Sequence, residues 1–163
     1  MFRKESSFAP IVDNNSCILI LGSFPSVLSV KHDFYYANKR NQFWPIMNEI
    51  FFGDAKTNLQ RKNLVLHNKI ALWDSVRVCE RKNSSDSELK VMEGNDIKGL
   101  LEKYSQIHTI FFNGKKSQQV YNKYHKDIDI YTKALPSTSP AHAAMKYEEK
   151  LQIYQKNIEE RLL

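Results

Sequence analysis

The feature that most narrows the fold of this chain is the run Ser16–Gly22, SCILILG, in which four consecutive Ile and Leu residues are closed by a glycine. A short strand that is apolar at every position has both faces covered, as a central strand of a parallel sheet does. Parallel neighbours are reached through crossovers, usually helices. The rest of the chain supplies them.

Ser23–Gln42 follows the run as a long segment without sustained period, read as a functional loop. Phe43–Phe52 reads as a buried helix with Pro45 in its first turn, and Lys56–Asn68 as a more polar one. Ile70–Val78 reads as a strand and Arg81–Ser87 as a loop. Asn95 is placed as N-cap of a helix Asp96–Tyr104, before a strand Ile107–Phe112 and a turn at Gly114. Ser117–Tyr124 reads as helix, Ile128–Thr132 as strand and Leu135–His142 as loop. The closing helix, Ala143–Leu162, carries Tyr147, Leu151, Tyr154 and Ile158 at spacings of three and four. Strands alternating with helices predict an α/β fold, a three-layer αβα sandwich around a central, mainly parallel, four-stranded sheet. The 163 residues, with no polar or Pro/Gly-rich break and no internal repeat, read as one domain.

Composition excludes several classes. No apolar run approaches the roughly 18 residues that span a bilayer, and Arg3, Lys4 and Glu5 put charge where a leader would be apolar, so a cytoplasmic protein without a membrane partner is expected. Cys17 and Cys79 are too few for an iron–sulfur cluster or zinc site and are expected as buried free thiols. His32, His67, His108, His125 and His142 lack paired spacing, so no metal and no cofactor are expected. The net charge of +6 and pI of about 9.2 suit a polyanionic partner without requiring one.

In sheets of this kind ligands sit beyond the carboxyl ends of the strands. The loops expected there are Ser23–Gln42, Glu80–Ser87, Gly114 onward and Leu135–His142. Two are distinctive: GSFPS (Gly22–Ser26) leading into FYYANKRNQFWPIM (Phe34–Met47), and LPSTSPAHA (Leu135–Ala143). Together they resemble the two active-site motifs of the uracil-DNA glycosylase superfamily and are most similar to its hypoxanthine-DNA glycosylase branch. LWDSVRVCERKNSSDS (Leu72–Ser87) and FFNGKKS (Phe111–Ser117) resemble the same branch, so the similarity covers nearly the whole chain in order.

The resemblance implies a monofunctional glycosylase of base excision repair, hydrolysing the N-glycosidic bond of a deaminated base, hypoxanthine favoured, that is flipped out of DNA. It implies Asn41 as the main catalytic residue, although an Asn at a helix entry also serves as an N-cap. Ser23, Phe24, Tyr36 and Asp74 would bind the base. Tyr36 matches the position whose ring stacks on it, or else packs its loop on the core. Asp74 matches the edge-reading position: a carboxylate accepts from the ring N–H that hypoxanthine has and adenine lacks. Alternatively it caps a turn with Ser75. Lys39, Arg40, Lys115, Pro136, Ser137, Thr138 and Ser139, together with Lys116, would contact phosphates, the lysines being otherwise simply solvated.

The chain departs from uracil-directed relatives at two places. Ser23–Phe24 stand where those place a water-positioning acid or amide, and Leu135 where many put a His or Asn that stabilises the departing base. No lysine is placed for Schiff-base attack. The expected partner is double-stranded DNA with a deaminated base, single strands being left open. The alternatives are a uracil or mismatch-thymine glycosylase and a non-catalytic nucleic-acid-binding protein of the same fold; a flavodoxin-like domain lacks its Gly-rich phosphate loop after the first strand.

Overall fold

The computed structural model describes residues 3–81 and 89–163. The run Ile18–Gly22 forms strand β2, after a short β1 at Arg3–Ser6. Beside β2 lie β3 (Ile70–Asp74) and β6 (Thr109–Asn113), and β7 (Tyr131–Leu135) completes the order β3-β2-β6-β7, every pairing parallel. Successive side chains of a strand point to opposite faces, and both sets are buried here. Ile18 and Ile20 join Ile70, Leu72 and Phe111 under helices α2 (Phe43–Ile50), α3 (Asn58–His67) and α6 (Tyr147–Leu162). Leu19 and Leu21 join Ala71, Ile110 and Phe112 under α4 (Ile97–Lys103) and α5 (Lys115–His125). The result is the expected three-layer sandwich.

A second sheet was not expected. The segment read as one strand, Ile70–Val78, breaks at Ser75: β3 ends at Asp74, and β4 (Val76–Arg81) turns into an antiparallel sheet of order β1-β4-β5, with β5 at Leu89–Gly94. The corner is pinned by hydrogen bonds. The Ser75 and Val76 N–H groups donate to the Gly22 and Ser23 carbonyls, and the Ser75 hydroxyl meets the Ser117 hydroxyl and carbonyl. Asn95, expected as an N-cap, is instead buried with its amide donating to the Asp74 and Val76 carbonyls, while Asp96 caps α4. Of the loop Arg81–Ser87, all but Arg81 lies outside the described residues.

Three further boundaries differ. A six-residue helix α1 (Val27–His32), capped by Ser26, interrupts the Ser23–Gln42 loop. The last strand lies at 131–135 rather than at Ile128–Thr132, because an edge strand that exposes Tyr131, Thr132 and Lys133 has no apolar run to announce it. Helix α6 starts at Tyr147, leaving Ala143–Lys146 in the preceding loop. Cys79 is buried as expected, whereas Cys17 is half-buried. Among the described residues no helix is long and apolar enough to cross a membrane.

Candidate active site

A parallel sheet delivers all its carboxyl ends to one rim. Gly22 and Asp74 are register partners there, as are Asn113 and Leu135. Gly22 is the one rim position where a side chain has no room: a Cβ would sit 2.6 Å from Asp74 Oδ1 and 3.0 Å from the Tyr36 hydroxyl. Its absence lets the carboxylate and the phenol converge on one floor. Asp74 is 3% exposed, and burial first, then the Asp74 charge, pushes the Tyr36 phenol far above its ordinary value. Tyr35 is raised by the same two causes. Both therefore remain protonated hydroxyls at any pH where DNA is handled.

The aromatic loop divides its labour. Tyr35 belongs to the core, its hydroxyl donating to the Ala9 carbonyl at 2.7 Å and its own carbonyl accepting from the Trp44 indole at 2.8 Å. Phe34 stacks on Trp44. Tyr36 alone reaches the rim, with one face stacked on Phe43 at 4.1 Å between centroids and its backbone at φ +52°. Of the other base-binding expectations, Ser23 is half-buried with its carbonyl bonded to Val76 N–H. Phe24 differs: it packs with Val76, Cys79 and Val120 beneath the second sheet, so its ring is a packing element.

Asn41 closes a turn in which its N–H donates to the Asn38 carbonyl, while Lys39 and Arg40 between them stand exposed. Its Oδ1 accepts from Phe43 N–H at 2.9 Å, so the side chain does cap the entry of α2. With the oxygen engaged, the amide NH2 is the part of Asn41 that is left to act as a donor. The next residue ties this turn to the second motif, Gln42 N–H donating to the Thr138 carbonyl at 3.1 Å.

The hydroxyl-rich loop after β7 is held on three sides. Asn113 and Thr138 form a reciprocal pair, the Asn113 amide donating to Thr138 Oγ1 and the Thr138 N–H donating to Asn113 Oδ1, each at 2.9 Å. From behind, α6 presents two residues one turn apart. Tyr154 donates its hydroxyl to the Pro136 carbonyl and Lys150 its ammonium to the His142 carbonyl, each at 2.7 Å. Burial lowers the Lys150 pKa, and the lysine is 1% exposed. Ser137 Oγ accepts from Ser139 N–H, and Ser139 Oγ from Ala141 N–H. Thr138, 1% exposed with both hydroxyl and N–H engaged by Asn113, is therefore a keystone of the loop and not a phosphate ligand.

Leu135 is buried in the core cluster. At the neighbouring rim position, Gly114 takes φ +97°, and Lys115 opens α5 exposed while Lys116 is half-buried. The close approach of Ser137 to Gly114, 3.2 Å from where a Cβ would stand, brings the β6–α5 turn against the second loop. Among the described residues no three His, Cys, Asp or Glu side chains gather as a metal site requires. Asn113, Lys150 and Tyr154 were not singled out by sequence; Asn113 lay unassigned inside FFNGKKS, and Lys150 in the charged face of a helix.

Comparison with known proteins agrees with this architecture. The model of the uracil DNA glycosylase superfamily matches residues 9–163. A protein of Methanosarcina acetivorans named hypoxanthine DNA glycosylase is 36% identical over 140 residues, covering 85% of this chain and 88% of the relative. One of the same name from Methanosarcina barkeri is 34% identical over 141 residues, covering 85% and 89%. The solution NMR structure of a candidate uracil DNA glycosylase from Methanosarcina acetivorans superposes with a TM-score of 0.81 at 31% identity, covering 96% of this chain and 99% of that one. With a fold, a rim and a sequence that all match over most of its length, the chain belongs to the uracil DNA glycosylase superfamily.

Proposed function

We propose that this chain is a DNA glycosylase that hydrolyses the N-glycosidic bond of a deaminated purine, hypoxanthine foremost, extruded from DNA. The observation that carries the reading is the buried Asp74 carboxylate beside Tyr36 on the Gly22 floor, in a chain whose relatives are named hypoxanthine DNA glycosylase. A carboxylate accepts hydrogen bonds and cannot donate them, so it favours a base with a ring N–H at its edge and leaves adenine unmatched. Tyr36, backed by Phe43, offers its ring to the flipped base.

In this reading Asn41 holds the attacking water at the anomeric carbon. The C–N bond breaks with its electron pair leaving on the purine nitrogen, water oxygen bonds to the sugar carbon, and the displaced proton passes to solvent. Asn41 acts by placing the water and donating through its amide, since an amide is too weak a base to deprotonate it. The acid that uracil-directed relatives use is replaced by Ser23–Phe24, and Leu135 offers no hydrogen bond to a departing anion. Both features suit a purine, which can depart protonated. Lys39, Arg40, Lys115 and Lys116 and the hydroxyls of Ser137 and Ser139 contact the flanking phosphates, with Pro136 shaping the loop. The duplex is the substrate, and the abasic product is left uncleaved.

The test is single-turnover base release from duplexes carrying deoxyinosine, deoxyuridine or deoxyxanthosine, with wild type and Asn41→Ala side by side. Hypoxanthine release that collapses in the variant is the expected result. Release of uracil alone overturns the substrate, and release of nothing from any duplex overturns the enzymatic reading in favour of a binding protein.

A further inference from the structure

The Asn113 amide occupies a junction that the proposed chemistry does not use directly. Its oxygen and nitrogen bond in a reciprocal pair to Thr138, which sits almost wholly buried in the second motif. The Thr138 carbonyl in turn receives the N–H of Gln42, the residue after Asn41. On another side the amide lies against the Tyr36 hydroxyl, close enough to ease its ionisation slightly, though outside strict hydrogen-bond geometry. One side chain at the end of β6 thus borders the residue offered to the base and, through Thr138 alone, the turn that carries Asn41.

We infer that Asn113 is a positioning residue that locks the phosphate-contacting loop, Asn41 and Tyr36 into one geometry. The inference rests on the glycosylase reading above and adds a residue to it. An amide suits the task because it alone offers a donor and an acceptor side by side, matching the hydroxyl and N–H that Thr138 presents. A side chain without that pairing leaves two buried polar groups of Thr138 unmatched and frees the loop to shift. A misplacement on the scale of an ångström is enough to slow a chemical step severely. The abundant contacts of the loop with α6 remain, so the loop stays folded while its register against Asn41 loosens.

The experiment is single-turnover base release from a deoxyinosine duplex at saturating enzyme, with Asn113→Ala, Thr138→Val, Thr138→Ser and the double variant Asn113→Ala/Thr138→Val. Affinity for an undamaged duplex and thermal unfolding are measured on the same preparations. We expect Asn113→Ala to slow the release rate constant by about thirtyfold and Thr138→Val by about tenfold, with the double variant no slower than Asn113→Ala, since residues of one unit are not additive. Thr138→Ser, which restores the oxygen, returns the rate to within about twofold of wild type. Burst amplitude and affinity for undamaged duplex stay unchanged throughout. The isosteric Thr138→Val keeps the test open if Asn113→Ala fails to fold.

A purely structural role would lower the amplitude, meaning fewer active molecules, and leave the rate constant alone; that result overturns the inference, as does strict additivity of the two substitutions. Wild type that releases no base at all removes the glycosylase reading and this role together, whereas an active wild type matched by its variants removes only the role of Asn113.

Discussion

The two loops that face each other across the rim are held by opposite means. The first, from Gly22 to Gln42, is fixed by rings: Tyr35 in the core, Phe34 on Trp44, Tyr36 on Phe43. The second, from Pro136 to Lys146, has no such packing and is fixed by named hydrogen bonds from Asn113, Tyr154 and Lys150. Apolar packing is non-directional and tolerates small shifts, whereas a hydrogen bond is lost when geometry slips. The difference teaches where each task belongs: a broad surface for a base on one side, and point contacts for a charged backbone on the other.

Alkali probes both loops at once and has the largest expected effect. Tyr35, Tyr36 and Tyr154 have phenols raised above the ordinary value of 10 by burial. A raised acid holds its proton more tightly in the folded state, so its contribution is complete below pH 10 and is lost as pH rises beyond it. With three such groups, stability should fall by up to about 4 kcal/mol per pH unit above pH 10, measured by urea unfolding at a series of pH values. Tyr154→Phe should remove about a third of that slope and so separate the second loop from the first.

Asn41→Ala should cost about 100-fold in base release, or roughly 2.7 kcal/mol of barrier, while the lost cap on Phe43 N–H costs about 1 kcal/mol of stability. If the rate loss is no larger than the cap explains, Asn41 is only a helix cap. Gly22→Ala should break the floor of the first loop alone, destabilising by about 2 kcal/mol as the new Cβ displaces Asp74 and Tyr36. Calorimetry checks this, and an unperturbed variant would mean the floor is looser than its distances indicate. Tyr154→Phe loosens only the second loop and should cost about 1 kcal/mol at neutral pH. Smallest is the double change Lys39→Ala/Arg40→Ala, which should weaken binding equally to damaged and undamaged duplex and lower the salt slope by about 2. A Ser137→Ala/Ser139→Ala protein should leave that slope unchanged, because neutral hydroxyls release no counterions.

This contrast also explains what was legible from residues alone. Packing writes itself into sequence as apolar runs and periods, so β2, α2 and the aromatic loop were readable at once. The sheet order followed from chain logic. Edge and antiparallel elements were not readable: Leu89–Gly94 alternates polar and apolar residues in a stretch resembling a loop, and the Asp74–Ser75 break carries no Gly or Pro. Hydrogen-bonded architecture leaves still less trace. Thr138 looks like any hydroxyl in a serine-rich loop until Asn113 is seen opposite it, and Lys150 looks like any helix lysine until its ammonium is found buried against the His142 carbonyl.

The backbone of Tyr36, at φ +52°, is in the left-handed region that side chains other than Gly and Asn seldom visit. That conformation costs on the order of 1 kcal/mol when the chain folds, and the stack on Phe43 holds it there. The ring is consequently rigid before any nucleic acid arrives. An extruded base then meets a surface with no loop left to order, so the entropy that a flexible recognition loop would lose at each encounter has already been given up once, during folding.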